Sequence, residues 1–166
     1  MAVSSSILKP LDIVVVKGKW SIPYHWLIMW RSMSPYNHCF MIKNDKGDIF
    51  DPSFAGILDR NINYYKGRTV AICRNKFDLT PHEVIELLDW VKIKQKTSKG
   101  YDLRAWLGFA TCIKVFEDED RWFCSELPYW MFQENGYRLT NKDLTYPFPN
   151  MFVDRPDFEI IFEGEL

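Results

Sequence analysis

The sequence lacks the features that would mark a membrane-spanning, secreted or nucleic-acid-binding protein. Its apolar segments are interrupted by charged residues or proline, so none reaches the length of a transmembrane helix. Residues 1–10 contain no basic segment followed by a long apolar stretch, so we expect no secretory signal. A net charge of −1 argues against a broad nucleic-acid surface. We therefore expect a cytoplasmic or virus-associated protein that has no transmembrane segment and binds no nucleic acid.

Metal sites and disulfide frameworks are also poorly supported. The chain has three histidines, none at His-x-x-x-His spacing, and no pair of cysteines at Cys-x-x-Cys spacing. Without a secretory signal, free thiols are expected rather than two bridges. The sequence thus predicts neither a metal nor another cofactor. The four cysteines are Cys39, Cys73, Cys112 and Cys124.

A length of 166 residues suits one compact domain, residues 1–166. Apolar patterning and turn residues predict a mixture of strands and helices. Thr80-Pro81-His82-Glu83 is a capping box that begins an amphipathic helix. The expected strands lie near 12–17, 38–51 (a hairpin), 68–74 and 158–162, and the expected helices start at 81, cover 102–116 and follow 125. Residues 21–33 form either a short helix or an aromatic strand.

The most informative segment is Trp122-Phe123-Cys124-Ser125-Glu126-Leu127-Pro128-Tyr129, in which a cysteine precedes a predicted helix. Ser125 is a candidate N-cap, and Pro128 is tolerated in a first helical turn. The helix is expected to end at Asn135-Gly136. A thiol at a helix N-terminus is biased towards the thiolate, which is the nucleophilic form. A buried structural cysteine is the alternative interpretation of Cys124.

A second segment supplies a candidate base. His38 begins an apolar strand, and the turn Asn44-Asp45-Lys46-Gly47 leads into a second strand that contains Asp51. Across a hairpin, residues near the start of one strand face residues near the end of the other. A carboxylate beside an imidazole orients the ring and stabilises its charged form. His38, Asp51 and Cys124 therefore form a candidate catalytic triad, with Cys39 expected to face away from the base as a core residue.

These segments resemble the permuted papain-like cysteine hydrolases of the YiiX/YebB type, which are related to NlpC-type amidases and lecithin:retinol acyltransferases. The family's "G-D-I-V" strand is matched by Leu11-Asp12-Ile13-Val14, with leucine in place of glycine. Its "Y-S-H-V-G" strand is matched by Tyr36-Asn37-His38-Cys39-Phe40 with two substitutions. Its "Y-D" element is matched by Tyr101-Asp102 and its "C-S-E-L-V" block by Cys124 to Pro128, with proline last.

The resemblance implies an α+β, circularly permuted papain-like fold, with an antiparallel sheet packed against helices and the nucleophile at a helix N-terminus. It implies a cysteine hydrolase (a thiol protease or amidase) that cleaves peptide or peptidoglycan-stem amide bonds through a thioester, with Cys124, His38 and Asp51 as the triad. An acyltransferase or lipid-ester hydrolase acting on acyl substrates is an alternative on the same site. A binding or structural component with a relic site, such as a virus-particle protein, is another. The sequence leaves the substrate and the oligomeric state open.

Overall fold

The computed structural model describes residues 7–19, 23–99, 122–140 and 147–166. Its strands are β1 (Ile13–Lys17), β2 (Tyr36–Ile42), β3 (Asp48–Ser53), β4 (Gly56–Asn61), β5 (Thr69–Asn75) and β6 (Phe158–Glu165). Its α-helices are α1 (Pro23–Ser32), α2 (Pro81–Thr97), α3 (Glu126–Glu134) and α4 (Met151–Asp154), and a 3₁₀ helix covers Ile62–Tyr65. The expected Tyr101-Asp102 element, the helix over 102–116 and Cys112 lie outside the described residues.

Within these ranges the six strands form one antiparallel sheet in the order β4-β3-β2-β1-β5-β6. Strand β1 lies between β2 and β5, and residues 13–16 are buried on both faces of the sheet. That burial explains why the segment Ile-Val-Val-Val is continuously apolar instead of alternating with polar residues. The mixed α+β class with an antiparallel sheet and helices is therefore confirmed.

The two faces of the sheet support separate cores. Because side chains alternate along a strand, Cys39 and Met41 of β2 face one way and Phe40 and Ile42 face the other. The first face packs against α2 and α3 through the helical side chains Leu87, Val91, Leu127, Met131 and Phe132. The second face is covered by Leu8 and by Tyr65 of the 3₁₀ helix. Helix α1 lies against β2.

Several local predictions are confirmed. Helix α2 begins with the capping box, in which the Thr80 side chain accepts from Glu83 N–H and the Glu83 carboxylate accepts from Thr80 N–H. The segment near 21–33 is a helix over its described part. Helix α3 stops at Asn135, and Gly136 has a φ of 87°, which glycine adopts without steric cost.

Other elements differ from the prediction. No element was predicted between the hairpin and the strand near 68–74, whereas the structure forms β4 and the 3₁₀ helix Ile62–Tyr65 there. Asn61 caps that 3₁₀ helix by accepting from Asn63 N–H. Strand β4 is one of the two edge strands of the sheet in the described part of the chain, and its residues alternate only weakly between apolar and polar. Its ladder with β3 stabilises it. Strand β6 also runs beyond the expected end at 162.

Leu11 adopts a backbone conformation that usually favours glycine. Its φ is 68°, in the left-handed region that a residue with a Cβ enters at a cost of about 1 kcal/mol. Its side chain is fully buried, so hydrophobic burial offsets that cost. The next residue, Asp12, is buried and pairs with Arg74 of β5 through bonds of 2.8 and 2.7 Å.

No helix in the described part of the chain is both long and apolar enough to cross a bilayer.

Candidate active site

A cavity of about 310 Å³ lies beside the sheet and contains the predicted site residues. His38, Asp51 and Cys124 all line it, although they come from β2, β3 and the turn before α3. The wall also includes four aromatic residues, namely Phe54, Tyr64, Tyr65 and Phe123. The structure thus brings together three polar side chains that are up to 86 residues apart in the sequence.

His38 and Asp51 are in direct contact. His38 Nε2 lies 2.8 Å from Asp51 Oδ1. The β2–β3 register pairs Met41 with Phe50 and Ile42 with Ile49, so these two polar residues are diagonal neighbours on one face of the sheet. The His38 ring also stacks on Tyr65, at 5.9 Å between centroids. The imidazole is therefore held in one plane beside the carboxylate.

Asp51 is fully buried and is held by three donors. Besides His38, Arg60 Nη1 lies 2.5 Å and the Tyr65 hydroxyl 2.9 Å from Asp51 Oδ2. Burial alone would raise the pKa of Asp51, but the hydrogen bonds from His38 and Tyr65 and the charges of His38 and Arg60 hold it below its usual value. Asp51 is therefore a carboxylate that faces the imidazole with a fixed orientation.

Cys124 reaches the cavity where β2 and β3 cease to pair. Their ladder contains only two residue pairs, and continuing its register would put Pro52 opposite Cys39. Proline has no N–H to donate, so the ladder cannot continue through this position in the usual way. The side chain of Cys124 lies near this point, close enough to Cys39 and His38 to interact with both electrostatically. The thiol group thus belongs to the helix-covered core and also borders the cavity.

The local electrostatics favour a charged pair. A hydrogen bond with the Cys39 thiol group, and the charge and hydrogen bond of His38, lower the pKa of Cys124 well below its ordinary value despite burial. Burial also opposes a charge on His38. The Cys124 thiolate and the Asp51 carboxylate outweigh it and raise the pKa of His38 to about 9. Both shifts favour a thiolate beside an imidazolium.

The start of α3 is built differently from the prediction. The Ser125 side chain does not cap the helix; its hydroxyl donates to Pro147 O at 2.6 Å. Ser125 has helical backbone angles, unlike the extended angles of a normal N-cap, so its hydroxyl is available to the neighbouring loop. Glu126 instead ties the turn before the helix to its first residue, by accepting from Phe123 N–H at 2.9 Å. Cys124 lies in the turn between these residues, two positions before α3.

The sequence did not predict the roles of three residues at this site. Arg60 and Tyr65 hold Asp51, but the sequence predicted no element over β4 and the 3₁₀ helix that carry them. Cys39 was expected to be a core residue facing away from His38, and it is buried on the other face as expected; what was not expected is its electrostatic interaction with Cys124. The signal that could have found Arg60 is its position in the strand that follows the Asp51 strand, at the diagonal site on the same face.

The remaining candidates do not join this site. His82 is exposed and lies 3.4 Å from Glu86 on the same helix. The His25 side chain lies outside the described residues. Cys39, Cys73 and Cys124 are free thiols, and burial raises the pKa of Cys73 to about 12. Over the described ranges, no group of three or more histidine, cysteine, aspartate or glutamate side chains is arranged to hold a metal ion.

The described architecture is that of a mixed α+β protein built on an antiparallel sheet. It is similar to the crystal structure of metalloprotein YiiX from Escherichia coli O157:H7, with a TM-score of 0.65 over 95% of this chain and 98% of that chain. The two sequences are 16% identical, so this likeness extends to the fold alone. YiiX is a member of the group that the sequence motifs resemble. No family model and no curated protein matches this chain.

Proposed function

We propose that this protein is a cysteine hydrolase with a circularly permuted papain-like fold, in which Cys124 is the nucleophile, His38 the base and acid, and Asp51 the orienting carboxylate. The observation that carries the proposal is the His38–Asp51 pair, 2.8 Å apart, with Cys124 on the wall of the same cavity and close enough to His38 for their charges to interact. A buried structural cysteine has no need of a charged imidazole neighbour, whereas a nucleophile does.

The first half of the reaction uses the charged pair. The Cys124 thiolate attacks the carbonyl carbon of an amide, and the carbonyl oxygen becomes an oxyanion. As this intermediate collapses, the C–N bond breaks and His38 transfers its proton to the leaving amine. The products of this half are a free amine and a thioester on Cys124. Because Nε2 of His38 bonds Asp51, Nδ1 is the ring nitrogen that exchanges the proton.

The second half resolves the thioester. His38, now neutral, takes a proton from water as the water attacks the thioester carbon, and the acid product leaves as the Cys124 thiolate and the imidazolium form again. None of the hydrogen bonds among the described residues uses the backbone N–H of Cys124. That N–H group can therefore stabilise the oxyanion in both halves, a contribution of about 3 kcal/mol to the barrier in enzymes of this type.

A panel of peptide, muropeptide and acyl-ester substrates tests the proposal, with and without an added amine or alcohol acceptor. We expect hydrolysis by the native protein and loss of at least about a thousandfold in kcat in Cys124→Ala and in His38→Ala. Cys73→Ala is the matched control, because it removes an equally buried thiol group from a strand that does not line the cavity. Full activity in Cys124→Ala with an unchanged melting temperature would refute the nucleophile assignment. Product formation that requires the added acceptor would indicate an acyltransferase.

A further inference from the structure

One cation on the cavity wall is not used by the candidate triad. Arg68 lines the cavity, and its Nη2 donates to the backbone carbonyl of Lys17 at 2.7 Å. It forms no ion pair with any carboxylate in the described part of the chain. By contrast, Arg60, the other guanidinium on this wall, is paired with Asp51. The backbone of Arg68 is anchored by bonds to Tyr65 O and from Leu166 N–H, so its position is defined.

Among the described residues, the charges on the cavity wall do not balance. The Arg60 guanidinium is paired with the Asp51 carboxylate, and His38 and Cys124 together carry no net charge, whether both are neutral or both are ionised. These two pairs cancel, and the charge of Arg68 remains. A guanidinium that lines a cavity and is fixed by a backbone carbonyl presents its remaining N–H groups to a planar anion, a carboxylate above all.

A second polar group in the same wall, Asn37, has a side-chain oxygen without a partner among the described residues. Asn37 is 5% exposed and lines the cavity next to His38. Its Oδ1 atom is buried and accepts no hydrogen bond from the described residues. The great majority of buried polar atoms in proteins form at least one hydrogen bond, so a buried oxygen without a donor calls for an explanation. An N–H group of a bound ligand would supply the missing donor.

Resting on the proposed function, we propose that the substrate is an N-acylated amino acid or peptide whose free carboxylate lies close to the scissile carbonyl. Arg68 binds the carboxylate and Asn37 accepts from the amide N–H. This assignment favours peptide-type substrates over uncharged acyl esters, which offer neither group. It concerns binding, and Arg68 takes no part in the bond-breaking steps.

The first test uses two alkylating reagents that differ in charge. Iodoacetate and iodoacetamide both form an S–C bond with the Cys124 thiolate as iodide leaves, and only iodoacetate carries a carboxylate. We expect Arg68→Gln to lower the ratio of the iodoacetate rate to the iodoacetamide rate at Cys124 by about threefold or more at low ionic strength. Arg68→Lys should retain part of the preference. The control is Arg138→Gln, which removes the same charge from an exposed position outside the cavity and should leave the ratio unchanged.

An equal ratio in Arg68→Gln and Arg138→Gln would overturn the assignment of Arg68. His38 also attracts iodoacetate, but it is present in every variant, so the comparison isolates Arg68. Circular dichroism and melting temperature verify that each variant is folded. If Cys124 resists both reagents in the native protein, the proposed nucleophile fails, and the carboxylate site is then decided by the binding measurement that follows.

The second test measures binding without any reaction. The Arg68 Nε–H resonance is followed during titration with N-acetylglycine, N-acetylglycinamide and O-acetylglycolate, the last having an ester oxygen in place of the N–H. We expect a saturable shift with N-acetylglycine, none with N-acetylglycinamide, and several-fold weaker binding of O-acetylglycolate. Equal shifts with the acid and the amide, or no shift with either, would overturn the carboxylate site. Equal affinities for N-acetylglycine and O-acetylglycolate would overturn the role of Asn37.

Discussion

Replacing Tyr65 by phenylalanine would test how the candidate site is held together. The substitution removes only the hydroxyl group that donates to Asp51 Oδ2 at 2.9 Å and leaves the ring that stacks on His38 and Phe40. A hydrogen bond to a charged group contributes about 1.5–3 kcal/mol to stability. Because Asp51 keeps two other donors, we expect a loss of about 2 kcal/mol at pH 7, or about 4–8 °C in melting temperature for a domain of this size.

The pH dependence of this loss follows from the lowered pKa of Asp51. A carboxylate with a depressed pKa contributes stability at pH values above its unfolded pKa, and the contribution disappears as pH falls through the folded pKa. Removing one donor raises the folded pKa towards its usual value. The difference between Tyr65→Phe and the native protein should therefore be full at pH 7 and should begin to shrink below about pH 4. It should reach about 1 kcal/mol once pH has fallen through the folded pKa of Asp51, where only a neutral hydrogen bond remains.

Urea unfolding at several pH values measures both quantities. Tyr64→Phe is the matched control, because the Tyr64 ring is 66% exposed and its hydroxyl has no hydrogen-bond partner in the described part of the chain. We expect the control to change stability by less than about 0.5 kcal/mol. If Tyr65→Phe costs no more than Tyr64→Phe at pH 7, the reasoning about the buried Asp51 network is wrong.

Further predictions concern the charged pair. With limiting iodoacetamide, Cys124 should be alkylated before Cys39 and Cys73, because burial raises the pKa of those two thiol groups. Its alkylation should also proceed at pH values well below the pKa of ~8.5 of a free thiol. Mass spectrometry that shows Cys124 labelled last would contradict this. Cys39→Ala should raise the pKa of Cys124 by removing a hydrogen bond to the thiolate, and an unshifted pH profile of alkylation would argue against that contact. Asp51→Asn should lower the pKa of His38 below about 9, as followed by NMR titration, and should reduce hydrolysis less than His38→Ala does; a pKa that stays near 9 would show that Asp51 does not stabilise the imidazolium.

Local sequence signals were sufficient for many elements of the fold. The capping box at Thr80, the stop at Asn135-Gly136 and the continuous apolar strand β1 each depend on neighbouring residues, and all three are confirmed. Ser125 is the instructive failure. A serine before a helix normally caps it, but here Pro147, 22 residues away, accepts its hydroxyl bond instead. Helix-capping propensity depends on neighbouring residues, so it cannot predict a hydrogen-bond acceptor that lies near Ser125 only in the folded chain.

The sequence alone determined which residues could perform thiol chemistry. Cys124 precedes a helix and His38 begins an apolar strand that leads through a tight turn to Asp51, and each of these features follows from local pattern. Only the tertiary structure decided what surrounds them. The fold brings Cys39 and His38 close enough to Cys124 to interact with it electrostatically, and β4 and the 3₁₀ helix bring two further donors to Asp51. Charge and burial act through space, so the pKa values at this site depend on residues that the order of the chain does not place side by side.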